Sequence, residues 1–433
     1  MLLVPASPPQ KAASFWRSPR AWFESNSPGR GYWVFFMAAF FYDAGFSVYF
    51  FLFNLYLYDC GFSDRIIGWI GGAMTFGSLV GTLPVAVPVR KLGPRPVLIA
   101  LFICAPLVNA TRALWIWEPA QIGLAFLTGL VMCAWGVCFL PAIARLTTEE
   151  TRTSGFTLIF SVSVGTSILG GIVCGYLRQW LGAAGIVLQA AEVKRIILIA
   201  SCAIALAGIV PVLRLRIPSA PDDAGTASQL TATGGLRSWS LTPFLVRFLP
   251  CMALWSAVLA AFTPFANIYL TRDLHISMTN IGLVFATAQL AQLCMGLVAP
   301  VVFRAAGLMN GIVAAQVGAA LLLGLLAGAQ SGKIAIALYL SFSAVQWISS
   351  PGLYNLLMNE VPDAARSTAA SMTMFANALC GSVATAAAGM LFTRFGYPRV
   401  LFGLSAAALC ISLLFRFLVS AERREPALVR LNT

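Results

Sequence analysis

Charge is scarce in this sequence. Only 10% of its 433 residues are Asp, Glu, Lys or Arg, against about a quarter in an ordinary soluble domain. Hydrophobic residues make up 59%, more than a soluble core in a chain of this size can absorb. Histidine is nearly absent: His275 is the single one, in a short loop with no ligand partner nearby, which speaks against a structural metal site and against a membrane enzyme built on clustered histidines. No GxxxxGK[ST] segment occurs, so ATP is not the direct fuel within this chain. No basic n-region precedes an apolar run at the start, so a cleavable signal peptide is not expected. The early stretch FWRSPRAWF reads either as a segment resting at the membrane interface or as disordered chain. The ten cysteines fall mostly inside apolar runs without paired metal spacing, and they read as small packing residues rather than a disulfide frame. No cofactor is called for.

What is abundant is long apolar runs. Twelve can be read, at 32–58, 66–89, 96–117, 121–144, 155–180, 192–213, 243–271, 278–303, 310–330, 334–358, 367–393 and 397–418. A spanning helix needs about 20 mostly apolar residues to cross about 30 Å of hydrocarbon. In lipid the backbone must satisfy its own hydrogen bonds, and a barrel would show short alternating strands instead. The expected fold is therefore an all-α polytopic membrane protein with twelve transmembrane helices, spans 1 to 12, and the lipid bilayer as its solvent.

The net charge of +13 follows the same logic. With both termini cytoplasmic, most Lys and Arg, among them Lys11, Arg17, Arg20, Lys91, Arg95, Arg214, Arg216, Arg423 and Arg424, fall on the inner side. That is the positive-inside asymmetry of an inner-membrane protein, and nucleic acid is not its partner.

The longest break between runs, RLRIPSAPDDAGTASQLTATGGLRSW at 214–239, is rich in Pro, Gly, Ser and Thr and reads as a linker. It divides the chain into an N-terminal segment (1–31), a six-helix bundle (32–213), a cytoplasmic linker (214–242), a second six-helix bundle (243–418) and a C-terminal tail (419–433). The two bundles repeat at a fixed offset of 214. Ile67 and Gly68 fall on Ile281 and Gly282; Arg90 and Gly93 fall on Arg304 and Gly307; Arg152 falls on Arg366, and Glu149 on the acid Asp363. Arg90 and Gly93 sit in the link between spans 2 and 3, RKLGPRP, and their counterparts in FRAAG between spans 8 and 9. Gly after a helix end is expected to supply a left-handed cap, and Arg to bind the last carbonyls of the helix before it.

Twelve spans as six plus six, with a basic glycine turn after span 2 and its echo after span 8, resemble the major facilitator superfamily. The resemblance covers nearly the whole chain and rests on architecture more than on one motif. The family's loop has an acid three residues before the Gly, where this chain has Arg90 and Arg304. Its efflux-associated signature in span 5 has a Gly-Pro step. Here VGTSILGGIVCG carries Gly165, Gly170, Gly171 and Gly175 without the Pro, and the glycines read as small residues that let helices approach closely. The resemblance implies related halves that rock about a midplane site, spans 1, 4, 7 and 10 lining the cavity. It also implies an inner gate made by Arg90, Gly93, Arg152, Arg304, Gly307 and Arg366.

Polar and amphipathic side chains at mid-depth are the candidates for the cavity: Tyr42 and Asn54 in span 1, Trp135 in span 4, Trp255 in span 7, Gln289 and Gln292 in span 8, Gln346 and Trp347 in span 10, and Asn377 in span 11. Each Gln or Asn could equally make an interhelical hydrogen bond worth about 0.6 kcal/mol. Together they describe an amphipathic, aromatic-walled cavity apt for a small organic solute. Arg112, toward the outer end of span 3, is expected to snorkel.

Of the 15 acidic side chains, Asp43 is set apart in AAFFYDAGFSVYFFLF, about 16 Å from the cytoplasmic end of span 1 at 1.5 Å per residue. A carboxylate at a membrane helix centre costs about 2.5 to 3.5 kcal/mol on insertion scales. A group that takes a proton facing one side and releases it facing the other is what proton coupling requires. Asp43 could instead bind sodium, anchor a cationic solute or accept structural hydrogen bonds. The reading is a monomeric, non-enzymatic secondary transporter of a small organic solute, with Asp43 as the proton-coupling residue. A receptor or scaffold on a transporter fold, and a carrier without ion coupling, are the alternatives.

Overall fold

The structure is a computed structural model that describes residues 29–183, 189–217, 242–361 and 366–421. Its helices are α1 (Arg30–Asp59), α2 (Asp64–Leu92), α3 (Pro94–Leu114), α4 (Glu118–Leu146), α5 (Glu149–Ala183), α6 (Ala190–Ala207) and α7 (Ile209–Arg214) in a first set. A second set holds α8 (Pro243–Phe262), α9 (Ala266–Arg272), α10 (Met278–Ala306), α11 (Leu308–Ala327), α12 (Gly332–Glu360), α13 (Arg366–Phe395) and α14 (Tyr397–Ala421). Spans 6 and 7 of the sequence are each broken, into α6–α7 and α8–α9. Ten spans among the described residues are long and apolar enough to cross a membrane, and α5 adds a shorter apolar stretch, Ser161–Tyr176. Short connections alternate the helix directions, so α1 begins at one face of the molecule, the near face, and ends at the far face.

Tyrosines splice α1 into the first set. Tyr32, Tyr49 and Tyr56 are fully buried, and a buried phenol needs an acceptor. Their hydroxyls donate to the carbonyls of Gly155 (2.6 Å), Asn109 (2.9 Å) and Ala113 (2.8 Å), fixing α1 parallel to α5 and α3. Gly45 admits α6: a side chain there would strike the Ser201 carbonyl and Ala205.

The break between α8 and α9 has a local cause. Pro264 has no N–H, so the carbonyl of Ala260 loses its helical donor. Thr385 of α13 takes the vacated place, its hydroxyl donating to Ala260 O at 3.0 Å.

The turns at Gly93 and Gly307 differ from the expected left-handed cap. Their backbones stand at φ 84°, ψ 170° and φ 82°, ψ 150°, an extended positive-φ conformation open in practice only to glycine. The offset of 214 is thus written in the dihedral angles as well as in the residues. The side chains of Arg90, Arg152 and Arg366 lie outside the described residues, and so does Asp363; Arg304 is exposed.

Arg112 does not snorkel. It is 1% exposed, enclosed in the first set, with its guanidinium 4.3 Å from the centre of the Phe53 ring. It reaches Gln121 Oε1 and Thr128 Oγ1 at 3.5 Å each. The side chain turns inward because α1, α4 and the polar Gln121 give it partners that hydrocarbon does not.

Candidate functional site

Asp43 stands midway along α1 and is half-buried, with the Ser163 hydroxyl of α5 donating toward its carboxylate. None of the three ion pairs among the described residues involves it. Beside it α5 presents further hydroxyls: Ser47 of α1 reaches the Thr166 carbonyl at 3.3 Å, and Thr166 and Ser167 bond back to Ser163 O at 3.0 and 2.9 Å. Ser163 was not singled out in the sequence; its signal is weak, a small polar residue in a span rich in Ser, Thr and Gly.

Against the neighbouring face of α1 lies an aromatic stack. Trp135 of α4 sits between Tyr42, 4.4 Å away at an interplanar angle of 18°, and Phe35, 5.8 Å away at 16°. Tyr42 is buried by this stack and by Phe46 and Phe102. In the second set Trp255 is buried with its indole Nε1 unpartnered, and Asn377 Oδ1 is likewise buried without a hydrogen bond. Gln289, Gln292 and Gln346 are half-buried. Trp347 is exposed, and its indole lies over Gly296 of α10.

One stripe of α1 locates these groups relative to the two sets. Trp33, Met37 and Phe40, spaced four and three apart and so on one face, are exposed toward the near face. Continued along the helix, the stripe reaches Phe51 and Asn54, and there the second set covers it. Phe51 meets the Phe285 ring edge-on at 5.3 Å, and Asn54 donates to Pro264 O at 2.8 Å. Asp43 lies between the exposed and the covered ends. Asn54 therefore belongs to the contact between the sets, where Asn267 reciprocates by donating to Phe51 O at 3.0 Å.

Two further seams join the sets on the far side, and they match under the offset of 214. In one, Gly68 of α2 packs on Gly389 Cα and the Thr385 carbonyl of α13; in the other, Gly282 of α10 packs on Gly175 Cα and the Gly171 carbonyl of α5. Gly68, Thr385 and Gly389 are Gly282, Gly171 and Gly175 displaced by 214 residues. No side chain fits at either central glycine, since a Cβ would stand 2.8 Å from the Thr385 carbonyl at one and strike the Gly171 carbonyl at the other. Hydroxyl-to-carbonyl bonds accompany them: Ser382 to Gly72 O at 2.7 Å, and Thr279 to Gly175 O at 2.9 Å.

The fold is that of a polytopic helical membrane protein built from two structurally matched sets of helices. The chain belongs to the Major Facilitator Superfamily, whose model matches residues 35–385. No curated protein sequence matches it. Among solved structures, the nucleoside transporter NupG superposes with a TM-score of 0.75 at 14% identity, over 90% of this chain and 99% of that one. A bacterial homologue of the human lysosomal transporter Spinster, inward-facing and occupied, gives a TM-score of 0.69 at 12% identity, over 90% and 97%. A D-xylose–proton symporter gives 0.67 at 15% identity, over 88% and 95%. At such identities the likeness is one of fold.

Proposed function

We propose that this protein is a secondary active transporter of a small organic solute, working by alternating access and driven by protons through Asp43. Twelve spans in two six-helix halves, with both termini on the cytoplasmic side of an inner membrane, complete the reading. The observation that carries it is the stripe on α1. The stripe is open toward the near face, closed toward the far face by the second set, and has an ionisable group between the two ends. A face of α1 exposed on one side of a mid-membrane carboxylate and covered on the other is what one end-state of an alternating-access cycle would present.

The buried, unpartnered Trp255 Nε1 and Asn377 Oδ1 would give such a solute a donor and an acceptor once the site opens to them. Nucleosides and D-xylose, the cargo named for two of the structural neighbours, carry polar groups of both kinds. In the opposite state the near face closes, and Arg90, Gly93, Arg152, Arg304, Gly307 and Arg366 form the gate there. Purified protein in proteoliposomes tests the reading: a labelled panel of nucleosides and sugars is offered with and without an imposed pH gradient. Concentrative uptake of one class, abolished by a protonophore, is expected. Uptake of every member at the rate of empty vesicles would overturn it.

A further inference from the structure

The seams are alike in backbone but not in charge. At the far end of the first, Asp64 opens α2 and Arg272 closes α9, so the pair joins the two sets of helices. Arg272 Nη1 lies 2.8 Å from Asp64 Oδ2, and the Asp64 side chain is 2% exposed. Arg272 is positioned entirely by its own set. Its Nε bonds Asp273 Oδ1 at 2.8 Å, and its guanidinium stands 4.8 Å from the centre of the Tyr397 ring. Tyr397 in turn stacks on Phe392 at 4.3 Å and on Tyr269 at 5.3 Å. Displaced by 214 residues, Asp64 becomes Met278, Arg272 becomes Tyr58 and Tyr397 becomes Ala183. The second seam therefore has no such pair. Symmetry accounts for the glycines; it does not account for the charges.

We propose that Asp64 and Arg272, with Tyr397 as the platform beneath the guanidinium, form a latch that holds the far side closed and sets how often it opens. The burial of Asp64 is what makes this a latch rather than a surface ion pair. A carboxylate without water needs its countercharge, and here the countercharge comes from the other set of helices. Parting the sets costs that contact but returns Asp64 to water. Asp64 Oδ1 and Tyr397 Oη are buried and turned toward one another without closing a full hydrogen bond. Among the described residues the one ion pair that joins the two sets is that of Asp64 with Arg272, and the phenol of Tyr397 lies beside the carboxylate.

The latch presupposes that the protein rocks between two states, so its test reads opening directly and needs no solute. Hydrogen–deuterium exchange of the full chain in nanodiscs would be followed over 60–72, 263–285 and 382–397 in wild type, Asp64→Asn, Arg272→Gln and the double variant. Asn and Gln keep the size of the side chains, and thermal melting of each variant checks that it is folded. Each single variant is expected to raise exchange across all three segments by about tenfold, as loss of a buried charge partner does. The double variant should exchange no faster than the worse single, because one interaction is lost in all three. Tyr397→Phe, which keeps the ring under the cation and removes only the phenol hydroxyl beside Asp64, should raise exchange less than either charge variant. Unchanged exchange in folded single variants, or additive effects in the double, would overturn the latch. Faster exchange in a protein that moves no solute would support the latch while removing the transport reading.

Discussion

At the scale of single residues, Asp43 carries the proposed coupling. Asp43→Asn keeps the shape and the contact with Ser163 but cannot titrate. A one-unit pH gradient coupled one to one sustains about tenfold accumulation. The variant should fall to no accumulation while still exchanging labelled for unlabelled solute. An Asn variant that concentrates solute under a pH gradient would remove Asp43 from the coupling. The carboxylate stood out in the sequence because a lone acid in an apolar run is costly to insert, although coupling, solute binding and structural hydrogen bonding all remained open to it. Its partner Ser163 was not, because serine in a membrane helix bonds back to its own backbone so readily that position alone says nothing. Arg112 shows the same limit from the other side. Distance from the span end suggested an escape to the interface, yet Gln121 and the Phe53 ring, contributed by two other helices, draw it inward.

At the scale of elements, the glycines divide into those that admit a neighbour and those that permit a dihedral. Gly282→Leu puts a side chain against the Gly171 carbonyl, and overpacking of this kind costs about 1–3 kcal/mol. Thermal melting should fall relative to Gly123→Leu, a position with open space around it. Equal melting of the two would mean that the seam parts without cost. Gly93→Leu acts differently, since nothing crowds the site but φ is +84°. Holding a leucine there costs about 1–3 kcal/mol. Solute uptake is expected to drop while membrane insertion, measured by yield in the membrane fraction, stays at wild type; full uptake would make this turn a mere connection. The offset of 214 exposed Gly68 and Gly282 as counterparts from sequence alone. What they touch was hidden, because Gly175 and Gly389 lie in other spans and a sequence pattern does not say which spans meet.

At the scale of the whole molecule, charge placement sets the orientation that Gly225→Cys tests. The linker residue should react with an impermeant maleimide only from the cytoplasmic side, in right-side-out and inverted vesicles compared. Labelling only from outside would invert the topology. The seams have a mechanical meaning too. The α2 contact occupies one end of its helix: it runs from the Asp64 carbonyl, packed on Gly389, to Gly72, bonded by Ser382, whereas about 30 Å run on from Gly72 to Leu92, at 1.5 Å per residue. On the proposed latch, parting Asp64 from Arg272, now 2.8 Å apart, frees the anchored end of a helix whose greater length lies toward the near face. A lock at the far end of α2 would thereby act on the opposite end of the same helix, which is where the first of the two matched glycine turns, Gly93, stands.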